Sequence, residues 1–139
     1  MSSNNKQVMN PEYPVGFNLN DDHFVAPATF NYLMHRHRDN LSKGRFLELG
    51  CATAQLTEML LEEGFEGRGM DVNPLSEADF VDRGVIEDMP YEDDSFSFVL
   101  SCCVLDSGVF PAQEGRYPKI MQEIYRVLKP GGMYLAGER

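Results

Sequence analysis

Residues 46–55, Phe46-Leu47-Glu48-Leu49-Gly50-Cys51-Ala52-Thr53-Ala54-Gln55, read as a short apolar strand that runs into a tight turn and then a helix. The turn decides what kind of protein this is. At the end of a first parallel strand, small residues let a ligand come close to the backbone, and the amides that open the next helix supply donors. A dinucleotide fingerprint would put glycines at positions 50, 52 and 55, where this chain has Gly50, Ala52 and Gln55. Gln55 argues against a pyrophosphate there. The spacing Glu48-x-Gly50-x-Ala52-x-Ala54 suits a single adenosyl group instead, and Asp71 stands 23 residues beyond Glu48 at the end of a second predicted strand. A carboxylate at that place can accept hydrogen bonds from both hydroxyls of an unphosphorylated ribose.

Outward from this turn, strands and helices alternate. Helical spacing from Pro27 through Phe30, Leu33, Met34 and Leu41 closes near Lys43-Gly44, and Leu56, Met59 and Leu60 mark a second helix stopped by Gly64. Further strands are predicted over 67–72, 84–87, 96–102 and 133–136. Ile120, Ile124, Val127 and Leu128 line one side of a last helix, which Lys129-Pro130-Gly131-Gly132 is expected to end. The order predicts an α/β fold: a Rossmann-like open, mainly parallel sheet of about five strands flanked by helices, with ligands at the carboxyl ends of the strands. Residues 1–24 read as a flexible arm or lid, and 25–139 as one domain.

Composition narrows the partners. The chain has 139 residues with 22 acidic and 12 basic ones, a formal net charge of -10. That charge opposes nucleic-acid backbones and anionic membranes. The polar start lacks the regions of a signal peptide and no apolar run approaches a membrane helix, so a cytoplasmic protein is expected. Three cysteines, Cys51, Cys102 and Cys103, form neither a disulfide framework nor a metal pair, and no metal is expected. His35, Arg36, His37 and Arg38 are expected to spread around a solvated helix face.

Four blocks in order, FLELGCATA, GMDVNP, GVIEDMPYEDDSFSFVLSCCVLD and EIYRVLKPGGMYLAGE, resemble the class I S-adenosylmethionine-dependent methyltransferases, in particular the small-molecule branch with a methyltransferase type 11 core. The resemblance covers about residues 44–137. It implies S-adenosyl-L-methionine as cofactor, S-adenosyl-L-homocysteine as product, and a small-molecule acceptor. Glu48, Gly50 and Ala52 would line the methionine and ribose side, with Cys51 in the same turn. Asp71 would hold the ribose, Val72 and Ile86 would flank the adenine, and Ser101 and Cys102 would lie beneath the sulfonium. Where the family has an acid for the adenine amine, this chain has Val85, leaving backbone groups or Glu87 and Asp88. Methyl transfer requires no nucleophilic side chain, so the catalytic residues stay unassigned, with Asp106 and Tyr117 placed to touch an acceptor.

Relative to the family, the sheet lacks its usual last two strands, leaving a fifth-strand edge for a second copy of the chain or the N-terminal arm to cover. The departures at Ala52, Ala54 and Val85 leave a second function open: a non-catalytic methyltransferase-like binding or regulatory module. A nicotinamide-dependent oxidoreductase is disfavoured by Gln55 and by the lack of a substrate domain.

Overall fold

The computed structural model describes residues 7–9, 22–102 and 116–137, with side chains from 26 to 101 and from 118 to 136. Its centre is a strand buried on both faces, β2 (Arg45–Leu49), in which Phe46 to Leu49 are all shielded from solvent. Apolar alternation cannot be seen in such a strand because both of its faces are interior. On its two sides lie β3 (Glu66–Asp71) and β5 (Phe96–Cys102), both parallel to it, with Leu49 opposite Met70 on one and Ser101 on the other. Outside β3 runs β4 (Val81–Arg83), and outside β5 runs β6 (Leu128–Gly137). The sheet is completed by β1 (Gln7–Met9), giving six parallel strands in the order β1-β6-β5-β2-β3-β4. Order reverses at β2, so the crevice that a ligand would use opens at the carboxyl ends of β2, β3 and β5.

Helices cover both faces. On one, α1 (Asp22–Arg36), α2 (Arg38–Leu41) and α3 (Gln55–Glu62) bury Leu33, Leu41, Leu56 and Leu60 against Phe46 and Phe98. On the other, α4 (Arg116–Val127) packs Ile120, Ile124 and Val127 onto Leu47, Val99 and Tyr134. Helical spacing of apolar residues has thus become two separate cores divided by the sheet.

Several boundaries differ from those that the sequence predicts. The first helix starts at Asp22 with Pro27 inside it, at the cost of one backbone bond. The third strand is Val81–Arg83, not 84–87: Asp88 N–H donates to the Val85 carbonyl at 3.2 Å, so that stretch closes a turn beyond the ladder. Lys129-Pro130-Gly131-Gly132 does not separate helix from strand. Leu128 already pairs with Phe96 and Met133 with Phe98, so five residue steps on β6 face two on β5, and the surplus bulges with Gly131 at φ 82°. Along the edge expected to be bare, Gln7, Val8 and Met9 pair with Met133, Tyr134 and Leu135. The chain's own amino-terminal segment, part of the expected arm, is the neighbour there.

The basic cluster is a further correction. His35, Arg36 and Arg38 are exposed, but His37 is buried where α1 breaks before α2, its ring 5.8 Å from that of Phe98 and 5.6 Å from that of Tyr32. Burial, then the neighbouring charge of Arg36, holds its pKa below the ordinary value. Unfolded His37 takes up its proton near 6.5 and the folded state only at lower pH, so the unfolded state binds more protons in between. Stability is therefore expected to fall as pH drops from about 6.5 to about 5.5, before carboxylates titrate. His37→Gln should flatten that slope in urea-denaturation midpoints, and an unchanged slope would contradict the assignment. A second expectation concerns Gly67, where an added Cβ would lie 2.3 Å from the buried ring of Phe46. Gly67→Ala should destabilise by about 1–3 kcal/mol in the same assay.

Candidate functional site in the crevice at the strand ends

The turn after β2 is built from left-handed backbone. Gly50, Ala52 and Ala54 take φ values of 73°, 49° and 63°. Only glycine adopts that region without a steric cost of roughly 1–2 kcal/mol, so the two alanines hold strain that the surroundings must compensate. Main-chain bonds supply the compensation. Gly50 and Cys51 N–H groups both donate to the Met70 carbonyl (2.7 and 3.1 Å), Ala54 N–H to the Cys51 carbonyl (2.7 Å), and Leu75 N–H to the Ala52 carbonyl (3.0 Å). Close approach to β3 also requires Gly69, where a Cβ would come within 2.9 Å of the Cys51 side chain and 2.8 Å of Thr57 Oγ1.

Asp71 ends β3 directly opposite this turn. Its Oδ2 accepts from Ala52 N–H at 2.8 Å and its Oδ1 from Asn73 N–H at 3.0 Å, so one half-buried carboxylate ties the turn after β2 to its own. Both oxygens retain acceptor capacity beyond these bonds. Beside it, Arg83 Nη1 reaches the Val72 carbonyl and Asn73 Oδ1, each at 3.2 Å, fixing the start of the loop that follows. Glu48 is buried one residue inside the strand end and accepts a 2.5 Å hydrogen bond from the Thr57 hydroxyl of α3.

The electrostatic character of the turn can be read at Cys51. Its thiol is pushed up to about 12, first by burial and then by the negative charges of Glu48 and Asp71. The thiol therefore stays protonated and is no nucleophile. The two carboxylates beside it favour a cationic guest over a phosphate. Against that background α3 begins at Ala54 without a side-chain cap, leaving amides of its first turn to other acceptors.

The other sequence-predicted positions fall at or just beyond the carboxyl ends of β3, β4 and β5. Val72 and Glu87 are half-buried, while Ile86 lies in the core under the Val85–Asp88 turn. Ser101, on the end of β5, is buried with its hydroxyl 2.6 Å from that of Tyr134, so its side chain faces the core. Cys102 pairs with Gly137 at the last rung of the sheet. The side chains of Cys102 and Tyr117, and all of Asp106, lie outside the described residues. Among the described residues no three His, Cys, Asp or Glu gather as metal ligands, and no helix is long and apolar enough to cross a membrane. Thr57, Arg83 and Tyr134 were missed by sequence reasoning. Only Thr57 carries a signal, as a polar residue on the buried stripe between Leu56 and Leu60.

A family model described as a methyltransferase domain matches residues 47–136, well over half of the chain. The chain therefore belongs to that methyltransferase-domain family. It is 34% identical over 110 residues to a Mycobacterium ulcerans protein named probable phthiotriol/phenolphthiotriol dimycocerosates methyltransferase 2, a match covering 68% of this chain and 39% of that one. Three of the curated relatives it matches are spanned over only 37–41% of their length. The fold is shared with the PH0226 protein of Pyrococcus horikoshii OT3 (TM-score 0.64, 21% identity, 88% of this chain and 63% of that one). A SAM-dependent methyltransferase of Methanosarcina mazei is similar too (TM-score 0.60, 22% identity, 74% and 55%).

Because the left-handed positions carry alanine, replacing both Ala52 and Ala54 by glycine should relieve strain while loosening the unfolded chain. The net change expected is a gain of about 1 kcal/mol or less. Ala54→Val, by contrast, should lower the melting temperature, since a β-branched side chain tolerates that conformation worst. Calorimetric melting of the variants checks both directions.

Proposed function

We propose that the chain transfers the methyl group of S-adenosylmethionine to a small-molecule acceptor, with the cofactor lying across the carboxyl ends of β2, β3 and β5. The observation that carries this reading is geometric: Asp71, bonded to Ala52 N–H, and the buried Glu48 set two carboxylates beside the left-handed turn, and a sulfonium with an ammonium-bearing tail is the cationic guest such a turn favours. When bound, the cofactor supplies a methyl group already activated by its sulfonium. What the chain itself supplies is binding and alignment. In this reading Asp71 accepts from the ribose hydroxyls, and Gly50, Cys51 and Ala52 leave room for the amino-acid tail. The tail's carboxylate meets the open amides of α3. Val72 and Ile86 flank the adenine, with Glu87 at its polar edge, and the strand end at Ser101–Cys102 offers backbone beneath the sulfonium.

The non-catalytic alternative loses one of its grounds, because Ala52 and Ala54 adopt the left-handed backbone that glycine would give. Cytoplasmic placement and pairing with a second copy remain proposals without a supporting contact, and the segment 106–115, where acceptor specificity would reside, lies outside the described residues.

Calorimetric titration tests the reading. S-adenosylmethionine and S-adenosylhomocysteine should both bind, and no heat at millimolar ligand would refute it. Asp71→Asn should weaken S-adenosylhomocysteine by about 10–100-fold, the equivalent of one charge-assisted hydrogen-bond pair at about 1.5–3 kcal/mol. Glu48→Gln should weaken the two ligands unequally, with the larger loss for the cationic S-adenosylmethionine.

A further inference from the structure

The segment between β4 and β5 has almost no regular structure of its own beyond a single bridge joining Val85 and Asp88. It is nevertheless held on all sides. Glu123 Oε1 accepts from Met89 N–H at 2.8 Å, and Arg126 Nη2 donates to the Met89 carbonyl at 3.1 Å, so both main-chain groups of one residue are held by side chains of α4. The same guanidinium reaches the Tyr91 carbonyl (2.7 Å) and Asp93 Oδ1 (2.9 Å) through Nη1, and grips Glu123 in a two-pronged pair at 2.6 and 2.9 Å. From the other side Tyr91 donates its hydroxyl to Asp82 Oδ2 at 2.7 Å, and Arg68 Nε holds that carboxylate at the same distance.

We infer that Glu123 and Arg126 are positioning residues for the adenine wall of the crevice, the Val85–Asp88 turn, acting through the main chain of Met89. The inference rests on reading the crevice as the S-adenosylmethionine site. Leu128 pairs with Phe96, the first residue of β5, so Arg126, two residues earlier, lies toward the amino end of that strand while Glu123 reaches the residue that follows the turn. An ordinary surface ion pair contributes about 0–1 kcal/mol, and stability alone would be a weak reason for this arrangement. Here the donors and acceptors converge on one carbonyl and one amide, immediately after the residues that would meet the adenine. Ile86 and Met89 complete the contact by packing in the same core as Ile120 and Ile124 of α4. The clamp therefore sets where the turn lies, and the fraction of molecules with the wall in place sets the apparent affinity. An arginine is needed: its planar fork meets four partners at once, whereas an ammonium is a single point.

Three variants and one control test this by titration with S-adenosylhomocysteine. Arg126→Ala and Glu123→Ala should raise its dissociation constant about tenfold, as expected if the wall is in place in about a tenth of molecules. Arg126→Lys, the variant safest for folding, should fail to restore affinity. Leu33→Val thins the core on the opposite face; it should lower the melting temperature while leaving the dissociation constant within twofold. Preference for S-adenosylhomocysteine over its hypoxanthine counterpart, S-inosylhomocysteine, should shrink in the clamp variants and persist in the control. Folded Arg126→Lys protein with wild-type affinity and wild-type preference would overturn the inference and leave the cofactor site intact. Wild-type protein that binds neither ligand would overturn the cofactor reading and the inference together.

Discussion

One carboxylate fastens the two turns on which the crevice depends. Asp71 receives the amide of Ala52 on one oxygen and that of Asn73 on the other, and so adds to the main-chain bonds that hold two alanines in left-handed backbone. The bonds that offset the strain at Ala52 come from Asp71 and Leu75, distant in sequence and brought there by the pairing of β2 with β3. Strained backbone that persists because its surroundings over-determine it is a common property of ligand-binding turns. In this chain it also brings Asp71 and Glu48 close enough for both to act on the Cys51 thiol. Shape and charge therefore share a cause: the turn that admits a ligand is also the turn that concentrates negative potential.

Much of the fold was legible because β2 and β5 are mostly apolar, a pattern that parallel strands buried on both faces favour. The helix after the turn was equally plain from Leu56, Met59, Leu60 and Gly64. Failure came where local pattern and tertiary role part company. Gly84 to Glu87 has the composition of a strand, yet Ile86 is buried by packing beneath α4 and Val85 is 43% exposed, so the alternation reflects a turn lying over a helix. Lys129 to Gly132 carries every mark of a chain break. It bulges inside a strand because Leu128 has already joined the ladder, a pairing that no short-range signal reveals. His37 belongs by charge to its basic neighbours and by position to the core, since the helix breaks there and rotates the ring inward.

The candidate site was legible to a similar degree and for similar reasons. Glu48, Gly50, Ala52 and Asp71 could be found because their spacing is set by strand length and turn geometry, both local. Their supports could not. Thr57 finds Glu48 across a helix, Arg83 finds Val72 and Asn73 across a strand pair, and Tyr134 finds Ser101 across the sheet. Each of these partners is an ordinary polar residue whose meaning appears only when the chain has folded.

The sheet's two edges illustrate how little of a crevice need be made from residues that face it. On the β4 side, Arg68 holds Asp82 below the usual carboxylate range, chiefly through their hydrogen bond, and burial together with Asp82 pushes the Tyr91 phenol up, so both groups keep their charge states at neutral pH. A segment with no ladder of its own is thereby fixed by polar groups that do not titrate in the working range. On the β6 side, β1 supplies main-chain partners for Met133 to Leu135, and so shields from other strands an edge that would otherwise offer unpaired groups. Between these margins β2, β3 and β5 can end in turns chosen for a guest rather than for stability, which is the division of labour that lets strained, charged backbone persist at the centre of the sheet.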